Sequence, residues 1–107
     1  MSMKILKKDG YNLVKLDSSF DTFEKQWKEL QSTHLVLEVS ENLNIDQSKI
    51  SLLLTVSASC KENGMSFVVV KSGIDIDDFP ETLAIVPTQQ EAEDVLEMEA
   101  IERDLGF

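Results

Sequence analysis

Hydrophobic positions recur at two spacings along the chain, and the two exchange places several times. Lys4-Ile5-Leu6-Lys7-Lys8 and Tyr11-Asn12-Leu13-Val14-Lys15-Leu16 are short strand-like runs, with Asp9-Gly10 between them as a hairpin signal. Phe20, Phe23, Trp27 and Leu30 then recur at three, four and three, which predicts one face of a helix over about residues 20–31, with Ser18 or Ser19 as its N-cap. Leu35-Val36-Leu37-Glu38-Val39 is nearly continuous apolar sequence, the mark of a central strand covered on both faces. After the polar loop 40–44, Asp46 is a good N-cap for a helix from Gln47 to about Glu62, stopped by Asn63-Gly64. Ile50, Leu53, Leu54, Ser57 and Ala58 mark its inner stripe, widened by Leu52, Val56 and Cys60.

The second half repeats the pattern. Ser66 to Val70 is a strand and Lys71-Ser72-Gly73 a turn, followed by a short helical turn from Asp75 to Phe79 that Pro80 stops. Leu83 to Val86 is a last short strand. Thr88-Gln89-Gln90-Glu91 fits a capping box for a final helix, with Ala92, Val95, Leu96 and Met98 facing inward and Gly106 ending it. Strands separated by helices imply right-handed crossovers and parallel pairing, while the amino-terminal hairpin adds an antiparallel pair. The expectation is an α/β domain: a mixed, mostly parallel sheet of about five strands with an N-terminal β-hairpin, packed against helices. It occupies residues 1–98, and residues 99–107 form an acidic tail, either frayed or continuing the last helix.

Charge changes this picture. Ten basic against twenty acidic residues give a net charge of −10, and eleven of the acids lie from Asp75 onward against one base, Arg103. Residues 1–74 are therefore neutral and the last third carries the whole excess. Such a chain repels nucleic acid and anionic lipid, so neither is an expected partner. The acidic third is either a solvated helix face or a docking surface for a basic partner. Within it, Met98, Ile101, Leu105 and Phe107 are expected to dock on the domain or on a second copy, leaving a monomer or a weak homodimer.

Catalytic chemistry finds little support. The four glycines are scattered and build no phosphate-binding loop, Asp75-Ile76-Asp77 fails as a calcium loop at Phe79 and Pro80, and no metal or cofactor is expected. Cys60 is read as a packing residue, and His34 as a loop or capping residue. The lone cysteine excludes an internal disulfide and favours the cytoplasm. Ile5-Leu6 is too short for a signal-peptide core, and the longest apolar runs are too short for a membrane span.

One stretch carries a resemblance. Glu38-Val39-Ser40 followed by Ile45-Asp46-Gln47-Ser48-Lys49-Ile50, then Leu53-Leu54, is similar to the strand, loop and helix start of the STAS domain family, the anti-sigma-factor antagonists. That family reads D-[LV]-S, then [IF]-D-S-S-G-[LI]-x-x-[LF]-L. Gln47 replaces the first serine and Lys49 the glycine, while Ser48 falls on the serine that is the phosphoacceptor in regulatory members. Glu62-Asn63-Gly64 before a strand, and Pro87-Thr88-Gln89-Gln90-Glu91-Ala92, resemble later family segments. The resemblance implies a STAS-like fold and a non-catalytic protein-protein interaction role. In that role a kinase-like anti-sigma factor is bound, and phosphorylation of Ser48 releases it. The helix-start surface Asp46, Gln47, Ser48, Lys49 and Ser51 would meet the partner. Two alternatives stand beside it: a phosphorylation-independent scaffold of the same fold acting through its acidic third, and a small-molecule-binding protein or enzyme.

Overall fold

The computed structural model describes residues 3–17, 20–41 and 43–106, apart from the side chain of Ile76. The expected serine cap at Ser18 or Ser19 and the apolar Phe107 lie outside the described residues. The elements are β1 (Met3–Lys8), β2 (Tyr11–Leu16), α1 (Asp21–Leu30), β3 (Leu35–Val39), α2 (Gln47–Glu62), β4 (Phe67–Val70), a 3-10 turn (Ile76–Asp78), β5 (Ile85–Val86) and α3 (Gln89–Asp104).

The sheet has five strands in the order β1-β2-β3-β4-β5. β1 pairs with β2 antiparallel and every later pairing is parallel, as expected of a hairpin followed by crossovers. At the hairpin, Lys8 pairs with Tyr11, and Gly10 turns the chain at φ +88, an angle that side chains rarely adopt. The strand order is monotonic, so successive right-handed crossovers place their helices on one face. α1 and α2 therefore share a face, burying Phe23, Trp27, Leu53, Val56 and Cys60 against Val14, Leu16, Leu35, Leu37 and Val69. Phe23 stacks on Phe67 with ring centroids 6.4 Å apart. α3 returns across the opposite face, where Ala92, Val95 and Leu96 cover Leu13, Val36, Val68 and Val70. Both faces of β3 and β4 are thus buried, which is why those strands read as unbroken apolar runs.

Local chemistry accounts for most boundaries. Asp46 accepts from the Lys49 N–H at 3.0 Å and opens α2. α2 closes in a Schellman motif, with Met65 N–H donating to Cys60 O at 2.8 Å, Gly64 N–H to Lys61 O at 3.0 Å, and Gly64 at φ +75. Thr88 accepts from the Glu91 N–H at 3.2 Å and opens α3.

The structure corrects several expectations. α1 begins one residue later than predicted, after Phe20, whose apolar side chain offers no acceptor and which is buried instead. β5 contains Ile85 and Val86 alone; Leu83 is buried but precedes the ladder. Ala58 is exposed, one residue round the helix from buried Ser57. α3 runs unbroken through 99–104, so the acidic stretch continues the last helix, one of the two outcomes expected for it. Met98 points outward with 61% of its surface exposed, and Ile101 and Leu105 are 59% and 66% exposed, so this stripe does not dock on its own domain.

Candidate functional site

The start of α2 follows β3 at the carboxyl edge of the parallel strands. The β3–α2 loop is held there from β4. Lys71 Nζ donates to Ser40 O at 3.0 Å and to Glu41 O at 3.2 Å, and Ser72 Oγ donates to Glu41 Oε1 at 2.6 Å. Lys71 and Ser72 were legible in sequence as a turn and nothing more. Their anchoring role depends on partners some thirty residues upstream, which only the β3–β4 pairing brings close.

Asp46, Gln47, Ser48 and Ser51 are exposed together on the first turn and a half of α2. Ser48 Oγ donates to Asp46 Oδ1 at 2.8 Å, and the same oxygen accepts from the Lys49 N–H. These donors, the Ser48 hydroxyl foremost, hold the Asp46 carboxyl below the usual carboxylate range. The helix start carries free N–H groups and a partial positive charge, so an acceptor here is favoured. Lys49 departs from the other four. It is half-buried, and its Nζ lies 5.7 Å from the Phe20 ring centroid, a cation–π contact. Its stem lies along the domain rather than across the face of Ser48.

The geometry sets what a phosphate at Ser48 would meet. A phosphoryl group on Ser48 would replace the hydroxyl hydrogen that now bonds Asp46, setting a dianion beside a carboxylate. Repulsion would turn the phosphate outward from the cap and toward solvent. The neighbouring Lys49 ammonium is drawn toward Phe20 and not toward the hydroxyl.

A second constellation lies at the opposite edge of the sheet and was not assembled by sequence reasoning. Asp9, Tyr11, His34, Glu93, Asp94 and Arg103 surround a cleft of about 450 Å³ between α3 and the amino ends of β2 and β3. Tyr11 OH donates to Glu93 Oε2 at 2.6 Å and accepts from Gln89 Nε2 at 3.2 Å. Burial, then the Glu93 hydrogen bond, raises the Tyr11 pKa, so the phenol keeps its proton. Arg103 Nη1 donates to Ser66 Oγ at 3.1 Å, while the Ser66 N–H donates to His34 Nδ1 at 3.0 Å. Burial and the Arg103 charge lower the His34 pKa, against an opposing pull from Glu99. The expectation of His34 as a capping side chain is met in kind: it accepts the backbone N–H that leads into β4. Arg103, the only base of the acidic third, is a tether between α3 and the β4 entrance. Its solitude in the sequence was the one signal that could have singled it out.

Cys60 is buried and its thiol pKa is raised by that burial, as befits packing. Among the described residues no group of three or more His, Cys, Asp or Glu side chains is placed to hold a metal ion. No described helix is long and apolar enough to cross a membrane. No protein-family model matches the chain, and no curated protein matches it.

Proposed function

We propose that this domain is a STAS-like, non-catalytic protein-binding module of the cytoplasm, whose α2 start contacts a kinase-like anti-sigma factor and releases it when Ser48 is phosphorylated. The observation that carries the reading is the exposed Ser48 hydroxyl in the first turn of α2, bonded to Asp46 at the carboxyl edge of the sheet. The order of elements and the Ile45-Asp46-Gln47-Ser48 motif are consistent with the same family. The reading is tested by incubating the protein with ATP and a purified kinase-like anti-sigma factor and locating phosphate by mass spectrometry. Incorporation on Ser48, lost in Ser48→Ala, supports it; an unmodified Ser48 under conditions that phosphorylate a control antagonist removes the switch.

A second reading has its own observation. α3 carries seven acids against one base, Arg103, which is turned inward to Ser66, so the charge on its outer surface is acidic throughout. That favours a scaffold that binds without phosphorylation, through the acidic carboxyl-terminal third.

A further inference from the structure

The solvent pole of α3 has the wrong polarity for a surface that meets only water. Met98, Ile101 and Leu105 are each more than half exposed, and their spacings of three and four align them along about two turns of helix. Ala92, Val95 and Leu96 already satisfy the sheet from the other side of the same helix. Single exposed leucines are ordinary, but three in register form a stripe whose burial against a partner would be favourable. The stripe is bordered by Asp94, Glu97 and Glu102, all exposed. Among the described residues Lys15 and Glu38 pair at 3.6 Å, and no such pair forms with a carboxylate of α3.

We propose that this face docks a cationic amphipathic helix of a protein partner, with aliphatic side chains meeting Met98, Ile101 and Leu105, and lysines or arginines meeting the flanking carboxylates. Charge selects the occupant. α3 holds seven acids and one base, and the base, Arg103, is turned inward to Ser66. A second copy of α3 laid on the first would set carboxylate against carboxylate. An anionic lipid surface or a nucleic acid would be repelled by the same field. A helix with apolar residues at i, i+3 or i+4 and i+7 and a basic border matches both the spacing and the sign. The inference rests on the second reading's acidic third, whose surface and partner chemistry it specifies. It stands whether or not Ser48 is modified, because α3 and α2 lie on opposite faces of the sheet.

The test uses the full chain and a synthetic leucine/lysine amphipathic helix of about five turns. Controls are a peptide of the same composition scrambled to remove its apolar face, and a leucine/glutamate peptide. Calorimetry should show the leucine/lysine helix binding at least about tenfold tighter than the scrambled one, with no binding of the glutamate peptide. Met98→Ser/Ile101→Ser/Leu105→Ser should keep the wild-type melting temperature and lose at least about tenfold in affinity. Asp94→Asn/Glu97→Gln/Glu102→Gln should weaken binding and flatten its dependence on salt. Equal affinity for the scrambled peptide, or unchanged affinity in the serine variant, would leave only bulk charge attraction and overturn the proposal. A wild-type dimer in sedimentation that the serine variant dissolves would also overturn it, by making the occupant a second copy. Ser48→Asp should leave this binding unchanged, so failure of the phosphorylation reading and failure of this one are told apart.

Discussion

Removing the guanidinium of Arg103 should detach the end of α3 from the entrance of β4. Arg103 Nη1 reaches Ser66 Oγ across 3.1 Å, and Ser66 is only 1% exposed. A hydrogen bond with one charged partner contributes about 1.5–3 kcal/mol when both groups are well shielded, and a buried hydroxyl left unpaired costs a similar amount. Arg103 itself is half-buried, so water recovers part of this, and the expected loss in Arg103→Ala is about 1–2 kcal/mol. For a domain of this size that lowers the melting temperature by about 4–10 °C. Arg103 also offsets neighbouring carboxylates, and its removal alone would confound the two effects. A double-mutant cycle separates them. In a Ser66→Ala background the hydrogen bond is already absent, and Arg103→Ala should cost about 1 kcal/mol less than in wild type. Urea titrations of the four proteins give the coupling. A coupling indistinguishable from zero, within about 0.3 kcal/mol, would refute the tether and leave Arg103 as a charge-balancing surface residue.

Two further outcomes follow from the same structure. Thr88→Ala should lose about 0.5–2 kcal/mol in a denaturant titration, with Thr88→Ser close to wild type, because the hydroxyl caps α3 through the Glu91 N–H. His34 accepts the Ser66 N–H in its neutral form and has its pKa lowered below the ordinary 6.5, so folding favours the uncharged ring. Its stabilising contribution is therefore complete above pH 6.5 and is lost as pH falls from there through the folded value, where Ser66 N–H and Arg103 both oppose the imidazolium. Melting temperatures between pH 7.5 and 5.5 should fall more steeply for wild type than for His34→Gln, whose amide oxygen can accept the same N–H at every pH; parallel slopes would remove His34 from the account.

What could be read from sequence was whatever neighbouring residues decide among themselves. Asp46 and Asn63-Gly64 delimit α2 to the residue because a cap and a Schellman turn involve bonds over three to five positions. Asp9-Gly10 places the hairpin for the same reason. The exposed trio at Asp46, Gln47 and Ser48 was legible too, since the first turn after a cap projects into solvent before the apolar stripe begins at Ile50. Long-range partners were not legible. Tyr11 meets Glu93 across 82 positions and Ser66 meets Arg103 across 37, so the cleft bordered by Tyr11, Glu93 and Arg103 exists only once α3 has crossed the sheet. Met98 was misplaced because four residues of apolar rhythm, Ala92, Val95, Leu96 and Met98, fit an inward arc loosely. The packed helix settles on 92, 95 and 96 and turns 98 away. Lys49 looked like a side chain aimed at a partner, but Phe20, far upstream in sequence and on the same face of the sheet, holds the ammonium by cation–π attraction.

The most direct measurement of the central claim is the affinity of three proteins for one purified kinase-like anti-sigma factor, taken by calorimetry at fixed salt: wild type, Ser48→Ala and Ser48→Asp. Ser48→Ala deletes one exposed hydroxyl bonded to Asp46 and should bind within about twofold of wild type. Ser48→Asp places a second carboxylate beside Asp46 on the presented turn and should bind at least about tenfold more weakly while its circular dichroism and melting curve remain those of a folded domain. Equal affinities for all three would contradict the switch at the α2 start.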